Sequence, residues 1–252
     1  MEYTRVADIK RLEIILKTLT ENLPAGASVL DVGCGNGIIS RGVGSQGFHV
    51  HGIDISEKAV ERARALNTLP NVTFDVISAE QLVADGKKYQ AVICSEVLEH
   101  LHHPENLLHT LYQSLTEDGI LIVTVPNGKG PREMLVTKPV INMERKKNFM
   151  WKLMTTSKKL LGYRGTTIQS DADDLTHVQF FSKKTLYQLA SENHFQIVNF
   201  NVTNFIDDVF PFSLLTRRSK ALQKLDASLA ERLPHEIAGS FVTVWKKLAV
   251  RG

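Results

Sequence analysis

SVLDVGCGNG, residues 28–37, decides how the chain is read. A short apolar run rich in β-branched residues ends in Gly33, Gly35 and Gly37, where a buried strand should turn into a helix. Glycines at that point let the backbone turn tightly and come close to a ligand. The spacing is G-x-G-x-G, not the G-x-G-x-x-G that sets a pyrophosphate on a helix N-terminus. Asp31 sits within the turn, where a carboxylate would repel a pyrophosphate and attract a cationic group.

Working outward, HVHGIDI (49–55), VTFDVI (72–77), YQAVICS (89–95) and GILIVTVP (119–126) repeat the strand signature, with helical segments between them. Strands alternating with helices of about 10 to 15 residues predict a parallel sheet with crossover helices on both faces. Upstream, residues 5–20 have helical periodicity and LPAGA (23–27) interrupts them. After Asn127 the alternation stops, and it resumes at HVQFFSKKTLYQLASENHFQIVNFNVTNF with a helix near 183–193 and a strand near 195–204. GSFVTVWKKLAV (239–250) supplies a last strand, and the final two are expected to form an antiparallel hairpin at the sheet edge. The predicted fold is α/β: a doubly wound, mostly parallel seven-stranded sheet in a single domain spanning residues 1–252.

The chain has 252 residues, 43% hydrophobic and 23% charged, as expected for a packed globular core. Lys plus Arg number 30 against 27 Asp plus Glu, too mild an excess to argue for nucleic acid or membrane. No run approaches the roughly 18 apolar residues of a membrane span, and the start lacks a signal peptide pattern, so a cytoplasmic protein is expected. Cys34 and Cys94 read as thiols lining the core at the ends of adjacent strands.

Asp54 ends the second strand about twenty residues past the glycine loop, where a carboxylate can accept both hydroxyls of a ribose. S-adenosylmethionine, with a ribose, a sulfonium and an amino group but no phosphate, suits that pair of acids. VLDVGCGNGIISRGVGSQGFHVHGIDISEKAVERAR, extended through AVICSEVLEHLHHP to VTVPN, resembles class I S-adenosylmethionine-dependent methyltransferases and, more narrowly, the ubiquinone-biosynthesis O-methyltransferases. The resemblance covers about residues 28–127 and implies a Rossmann-like methyltransferase fold. It implies that Asp31, Gly33, Cys34 and Gly35 hold the methionine part, that Asp54 holds the ribose, and that Ile55 packs on the adenine. Such families place an acid and Ala at the end of the third strand. Here Ser78 and Ala79 stand there, with Glu80 as a substitute acid or as a first-turn helix acid. Ser95, ending the fourth strand, completes the expected cofactor set.

Glu96, Glu99 and His100 follow that strand, and on a helix beginning near Ser95 they would share one face. The trio could bind a divalent metal, Mg²⁺ or a transition ion, or His100 alone could act as a general base. A helix with acids in its first turn and a packing histidine is the plain alternative. Small-RNA 3′-end methyltransferases are similar here, with a later histidine among their metal ligands, and His177 looks like its counterpart.

Residues 128–170 read as an inserted helical lid, basic and amphipathic. Lys138, Arg145, Lys146, Lys147, Lys152, Lys158 and Lys159 face only Glu133 and Glu144, with Phe149, Trp151 and several Leu and Met among them. Such a segment can close over an acceptor, touch a membrane surface through residues 138–161, or form a solvated hairpin. The expected activity is O-methylation of a small-molecule hydroxyl (a phenol, a sugar or a secondary metabolite), because a hydroxyl gains most from a base or a metal. A metal-dependent RNA 3′-end methyltransferase and a cofactor-binding protein without turnover are the alternatives. No recognised RNA-binding module supports a nucleic-acid partner.

Overall fold

The computed structural model describes residues 3–83, 86–137, 177–207, 209, 212–216 and 219–248. Seven strands pair side by side: β1 (Ser28–Val32), β2 (His49–Asp54), β3 (Val72–Val76), β4 (Tyr89–Ser95), β5 (Leu115–Pro126), β6 (Phe195–Val202) and β7 (Ser240–Lys247). Their order is β3-β2-β1-β4-β5-β7-β6. The first five run parallel, and β7 runs antiparallel to both β5 and β6. The expected hairpin is therefore present, with its second strand on the inside.

Period-two alternation sorts the side chains into two layers. Leu30, Val32, Val92, Cys94, Leu121, Val123, Phe241 and Trp245 point to one face. There they meet Leu82 of α4 (Ala79–Val83), Leu107, Leu108 and Leu111 of α5 (Pro104–Ser114), and Leu186 and Ala190 of α6 (Lys183–Glu192). Val29, Val50, Ala91, Ile93, Ile120, Ile122, Val242 and Val244 point to the other face. Those meet Leu12, Ile15 and Leu19 of α1 (Val6–Asn22), Ile39 and Val43 of α2 (Ile38–Gly44), and Val60 and Ala63 of α3 (Glu57–Leu66). Apolar burial on both faces makes the central strands nearly continuous hydrophobic runs.

Local chemistry fixes the helix ends. Ser56 caps α3 by accepting the Ala59 N–H, and Ser182 with Thr185 forms a reciprocal capping box on α6. Two helices that the sequence pattern does not announce lie between β6 and β7: α7 (Phe212–Thr216) and α8 (Lys220–Arg232). The inward face of α8 carries Gln223, Asp226, Ala227 and Ala230, whereas Leu222, Leu225 and Leu229 are exposed. Asp226 accepts the backbone N–H groups of Phe205 and Ile206, both at 2.8 Å, and Gln223 accepts that of Val6 at 2.9 Å. Polar bonds to backbone N–H groups of α1 and of the segment after β6 therefore help seat this helix where apolar packing would ordinarily do so.

β5 begins at Leu115 rather than at Gly119, because Leu115 pairs with Tyr89 before the register shifts. Among the described residues no helix is long and apolar enough to cross a membrane. Of the expected lid, residues 128–137 are described and include a π-helical turn at Glu133–Thr137, while 138–170 lie outside the described residues.

Candidate functional site

The carboxyl ends of β1, β2, β4 and β5 lie along one edge of the sheet, the side on which open parallel sheets bind ligands. β1 passes into the glycine loop with Gly33, Gly35 and Gly37 all at positive φ. At Gly33 (φ 69°) a Cβ would come within 2.6 Å of Val97 Cγ2, so the loop after β4 presses directly on this turn. The Gly33 and Cys34 N–H groups donate to the Ile53 carbonyl at 2.8 and 3.0 Å, fixing the turn against the end of β2. Asp54 strengthens the link: one carboxylate oxygen accepts the Gly35 N–H at 2.9 Å and the other accepts the Ser56 N–H at 2.9 Å.

Asp31 is 1% exposed and accepts the Ser40 hydroxyl at 2.5 Å. Burial pushes its carboxyl up to about 7, against the pull of the Ser40 bond and with added repulsion from Asp54. The acid thus sits at the balance point between neutral and charged near physiological pH. Cys34 and Cys94 are buried free thiols, pushed up by burial and so unreactive. Ile55 stands at the end of β2 with 80% of its surface exposed, a flat apolar platform beside Asp54. Ser78 caps α4: its hydroxyl accepts the Gln81 N–H at 3.4 Å while Gln81 returns to the Ser78 N–H at 2.8 Å. Ala79 is buried behind it and Glu80 is exposed in the first turn, facing the helix dipole. Ser95 is buried and bonded to Thr124 at 2.9 Å across β4 and β5.

The expected helix beginning near Ser95 is absent. Glu96 adopts a left-handed backbone (φ 59°), and a single 3₁₀ turn, Leu98–His100, follows. The left-handed residue breaks the i, i+3, i+4 register, so Glu96 does not share a face with Glu99 and His100. Its carboxylate instead accepts the Thr124 hydroxyl at 2.9 Å and lies 3.5 Å from the guanidinium of Arg11, a buried residue of α1.

Glu99, His100 and His177 do come together, with one ligand atom from each lying within 4.8 Å of the others. The His100 and His177 rings meet edge-on at 5.1 Å between centroids. The Val178 and Gln179 N–H groups donate to the Glu99 carbonyl at 2.9 and 3.0 Å, which stitches the segment bearing His177 onto the 3₁₀ turn. The sequence pattern does not single out Glu133 for this cluster. It is 1% exposed, with its Oε1 3.4 Å from His177 Nδ1. Its signal is position: an acid just past the carboxyl end of β5 in a run otherwise basic. Glu99 is held well above the ordinary carboxylate range, first by burial and then by the charges of Glu96 and Glu133, with Arg11 opposing.

The sequence matches the methyltransferase domain family over residues 5–199. Among curated relatives, the ubiquinone biosynthesis O-methyltransferase of Glaesserella parasuis serovar 5 is 33% identical over 118 residues, covering 44% of this chain and 50% of that protein. The chain spans about half the length of the curated relatives it matches. Among solved structures, an S-adenosylmethionine-dependent methyltransferase from Mesorhizobium loti superposes with a TM-score of 0.58 at 16% identity, covering 96% of this chain and 100% of that one. Magnesium protoporphyrin IX methyltransferase from Synechocystis PCC 6803, solved with bound S-adenosylhomocysteine, gives a TM-score of 0.55 at 20% identity over 96% of this chain and 84% of that one. At these identities the structural likeness shows a shared fold.

Proposed function

Because the chain belongs to the methyltransferase domain family, we propose that it transfers a methyl group from S-adenosylmethionine to a hydroxyl of a small-molecule acceptor. One observation carries the cofactor half: a buried acid, Asp31, and a second acid, Asp54, flank a positive-φ glycine loop tied to Asp54 through the Gly35 N–H. Asp31 as a carboxylate would pair with the donor's ammonium, and the remaining lone pairs of Asp54 would accept the ribose hydroxyls. Ile55 would cover one face of the adenine. The O-methyltransferase names of the curated relatives support oxygen as the acceptor atom.

The reaction is an in-line displacement. The acceptor oxygen forms the new O–CH₃ bond as the S–CH₃ bond breaks, the sulfonium becomes a neutral thioether, and the acceptor proton must leave. Approach to about 3 to 3.5 Å, opposite the sulfur, supplies much of the acceleration. His100 would receive that proton, a reading supported by the contact of its turn with the glycine loop through Val97. A divalent ion bound beside His100 would lower the hydroxyl pKa. The same cluster would serve an RNA 3′-end hydroxyl, so the acceptor screen includes both classes.

Calorimetry with S-adenosylhomocysteine tests the cofactor half. Saturable binding is expected, weakened by about 1 to 3 kcal/mol in Asp54→Ala. Binding of NAD with none of S-adenosylhomocysteine would overturn it. Mass spectrometry of phenols, sugars and RNA 3′ ends incubated with protein and donor tests the acceptor half. With a true acceptor, His100→Ala should lose about 10²- to 10⁴-fold in turnover and keep its cofactor affinity.

A further inference from the structure

We propose that the outer flank of the sheet at β6, overhung by a leucine stripe on α8, is the contact surface for a second copy of this chain. The inference concerns assembly and stands apart from the methyl-transfer reading.

Exposure argues first. Nine of the sixteen large apolar side chains exposed among the described residues lie between Tyr187 and Ile237. Scattered singly they would mean little. They belong instead to elements that pack on one another: α6 lies against β6, and α8 lies against β6, α7 and the 3₁₀ turn His235–Ile237. About half of each side chain is uncovered. At about 150 to 200 Å² per residue that leaves roughly 700 to 900 Å² of apolar surface. The largest patch on a typical monomer is about 300 to 600 Å², whereas each partner in a standard interface buries about 800 Å².

Helical spacing gives the direction. Gln223, Asp226, Ala227 and Ala230 form the buried face of α8. Glu231 meets Lys10 of α1 at 2.9 Å, so the flank that it shares with Lys220 and Lys224 faces α1. Leu222 and Leu229 stand on the opposite flank and overhang the side where β6 ends the sheet. β6 itself, FQIVNFNV, has neither the charges nor the proline that usually guard an edge strand. A bulge between Ile197 and Asn199 interrupts its ladder, so side-chain packing rather than strand addition would join the copies. In the other helix layer Tyr187 of α6, half-exposed, stacks on Phe200 of β6 with ring centroids 5.9 Å apart.

Composition selects the occupant. The outward stripe of α8 is Ala221, Leu222, Leu225, Ser228 and Leu229, large and small residues mixed without charge. A twofold contact needs knobs and holes on the same surface, since each copy must supply both. A lipid surface would call for cations beside the leucines. Lys220 and Lys224 are turned towards α1 instead, and among the described residues of α8 only Arg232, at the helix end, borders the stripe.

Sedimentation equilibrium of the whole chain from about 0.5 to 100 µM tests the assignment, with a dimer expected to form at micromolar concentration or below. Leu225→Glu combined with Leu229→Glu should weaken association at least about 100-fold, because unpaired charges would be buried in both halves. Both native cysteines are buried. Mild oxidation of Leu225→Cys should therefore give a disulfide-linked dimer, the middle of a self-packed stripe meeting itself across the axis. The exposed Glu105→Cys on α5 should give none. Thermal melting shows whether the double variant is folded. Where it is, sedimentation decides; where it melts early, the cysteine pair decides. A parent protein that stays monomeric at about 100 µM would overturn the proposal, and co-sedimentation of that monomer with anionic vesicles would assign the face to a lipid surface instead. A dimer that the glutamates leave intact and that Leu225→Cys does not trap would place the contact elsewhere and overturn it equally.

Discussion

Replacing Asp31 by Asn should make the folded protein more stable at pH 8 while weakening its affinity for the methyl donor. Asp31 is buried, and its carboxyl is pushed up to about 7 in the folded state. An unfolded chain titrates Asp near 3.9. Between those values the folded state keeps a proton that the unfolded state has lost, so stability falls as pH rises from about 4 to about 7 and levels off above. Three pH units correspond to about 4 kcal/mol. The Asn amide oxygen can still accept the Ser40 hydroxyl, now held at 2.5 Å by the acid. Its amide nitrogen needs a new acceptor, at a cost of about 1 to 3 kcal/mol. The variant should therefore gain about 1 to 3 kcal/mol at pH 8, or several degrees of melting temperature at about 2 to 4 °C per kcal/mol. The advantage should shrink by up to about 1.4 kcal/mol for each pH unit below 7, vanish between about pH 4.5 and 6, and become a deficit of about 1 to 3 kcal/mol near pH 4. Urea and thermal unfolding of both proteins at pH 5, 6.5 and 8 would measure this. Parallel curves, or a variant less stable at pH 8, would refute the assignment of the raised pKa to Asp31. S-adenosylhomocysteine should bind the variant roughly 10- to 100-fold more weakly, the loss of one charge-assisted bond.

The same titration should appear in binding. Donor affinity is expected to rise by up to tenfold per pH unit below about 7 and to plateau above, with buffer-dependent heats revealing proton release, since only the Asp31 carboxylate attracts an ammonium. Gly33→Ala should lower stability by about 1 to 2 kcal/mol for the left-handed conformation alone, and by more for the 2.6 Å approach to Val97 Cγ2. Adding Val97→Ala should recover the steric part but not the conformational part, as double-mutant melting curves would show. Trp245→Ala should cost about 3 to 5 kcal/mol, because the indole is fully buried between β5 and β6 and donates to Thr243 at 2.7 Å. A loss below 1 kcal/mol in urea titration would contradict that.

What could be read from the sequence was what local patterning determines. Leu30/Asp31/Val32 and Val92/Ile93/Cys94 announce strands buried on both faces, and their alternation with helices announces a mostly parallel sheet. Asp31, the glycine loop and Asp54 are legible because strand and turn fix them within a few residues. The departure of Glu96 from the face of Glu99 and His100 is not legible in sequence, because a single left-handed residue resets the direction of the chain after it and no periodicity reports a positive φ at a glutamate. Glu133 joins its cluster across the sheet, through partners far away in sequence. α8 is not legible in sequence because its apolar residues Leu222, Leu225 and Leu229 face outward while Gln223 and Asp226 face in, the reverse of the pattern that announces a helix on a core.

The position of β7 has a consequence for how the chain is made. Among the described residues β6 pairs only with β7, and β7 in turn occupies the place beside β5. During synthesis, β6 is complete at Val202 while the strand it pairs with, β7, begins at Ser240. At about 5 to 20 residues per second the ribosome leaves that strand without a neighbour for several seconds. The parallel half of the sheet can form as it emerges, but the far edge must arrive as one unit. In that interval β5 also offers an open, hydrophobic flank, so the nascent chain is most exposed to mispairing and to chaperone capture just before β7 slots in between β5 and β6.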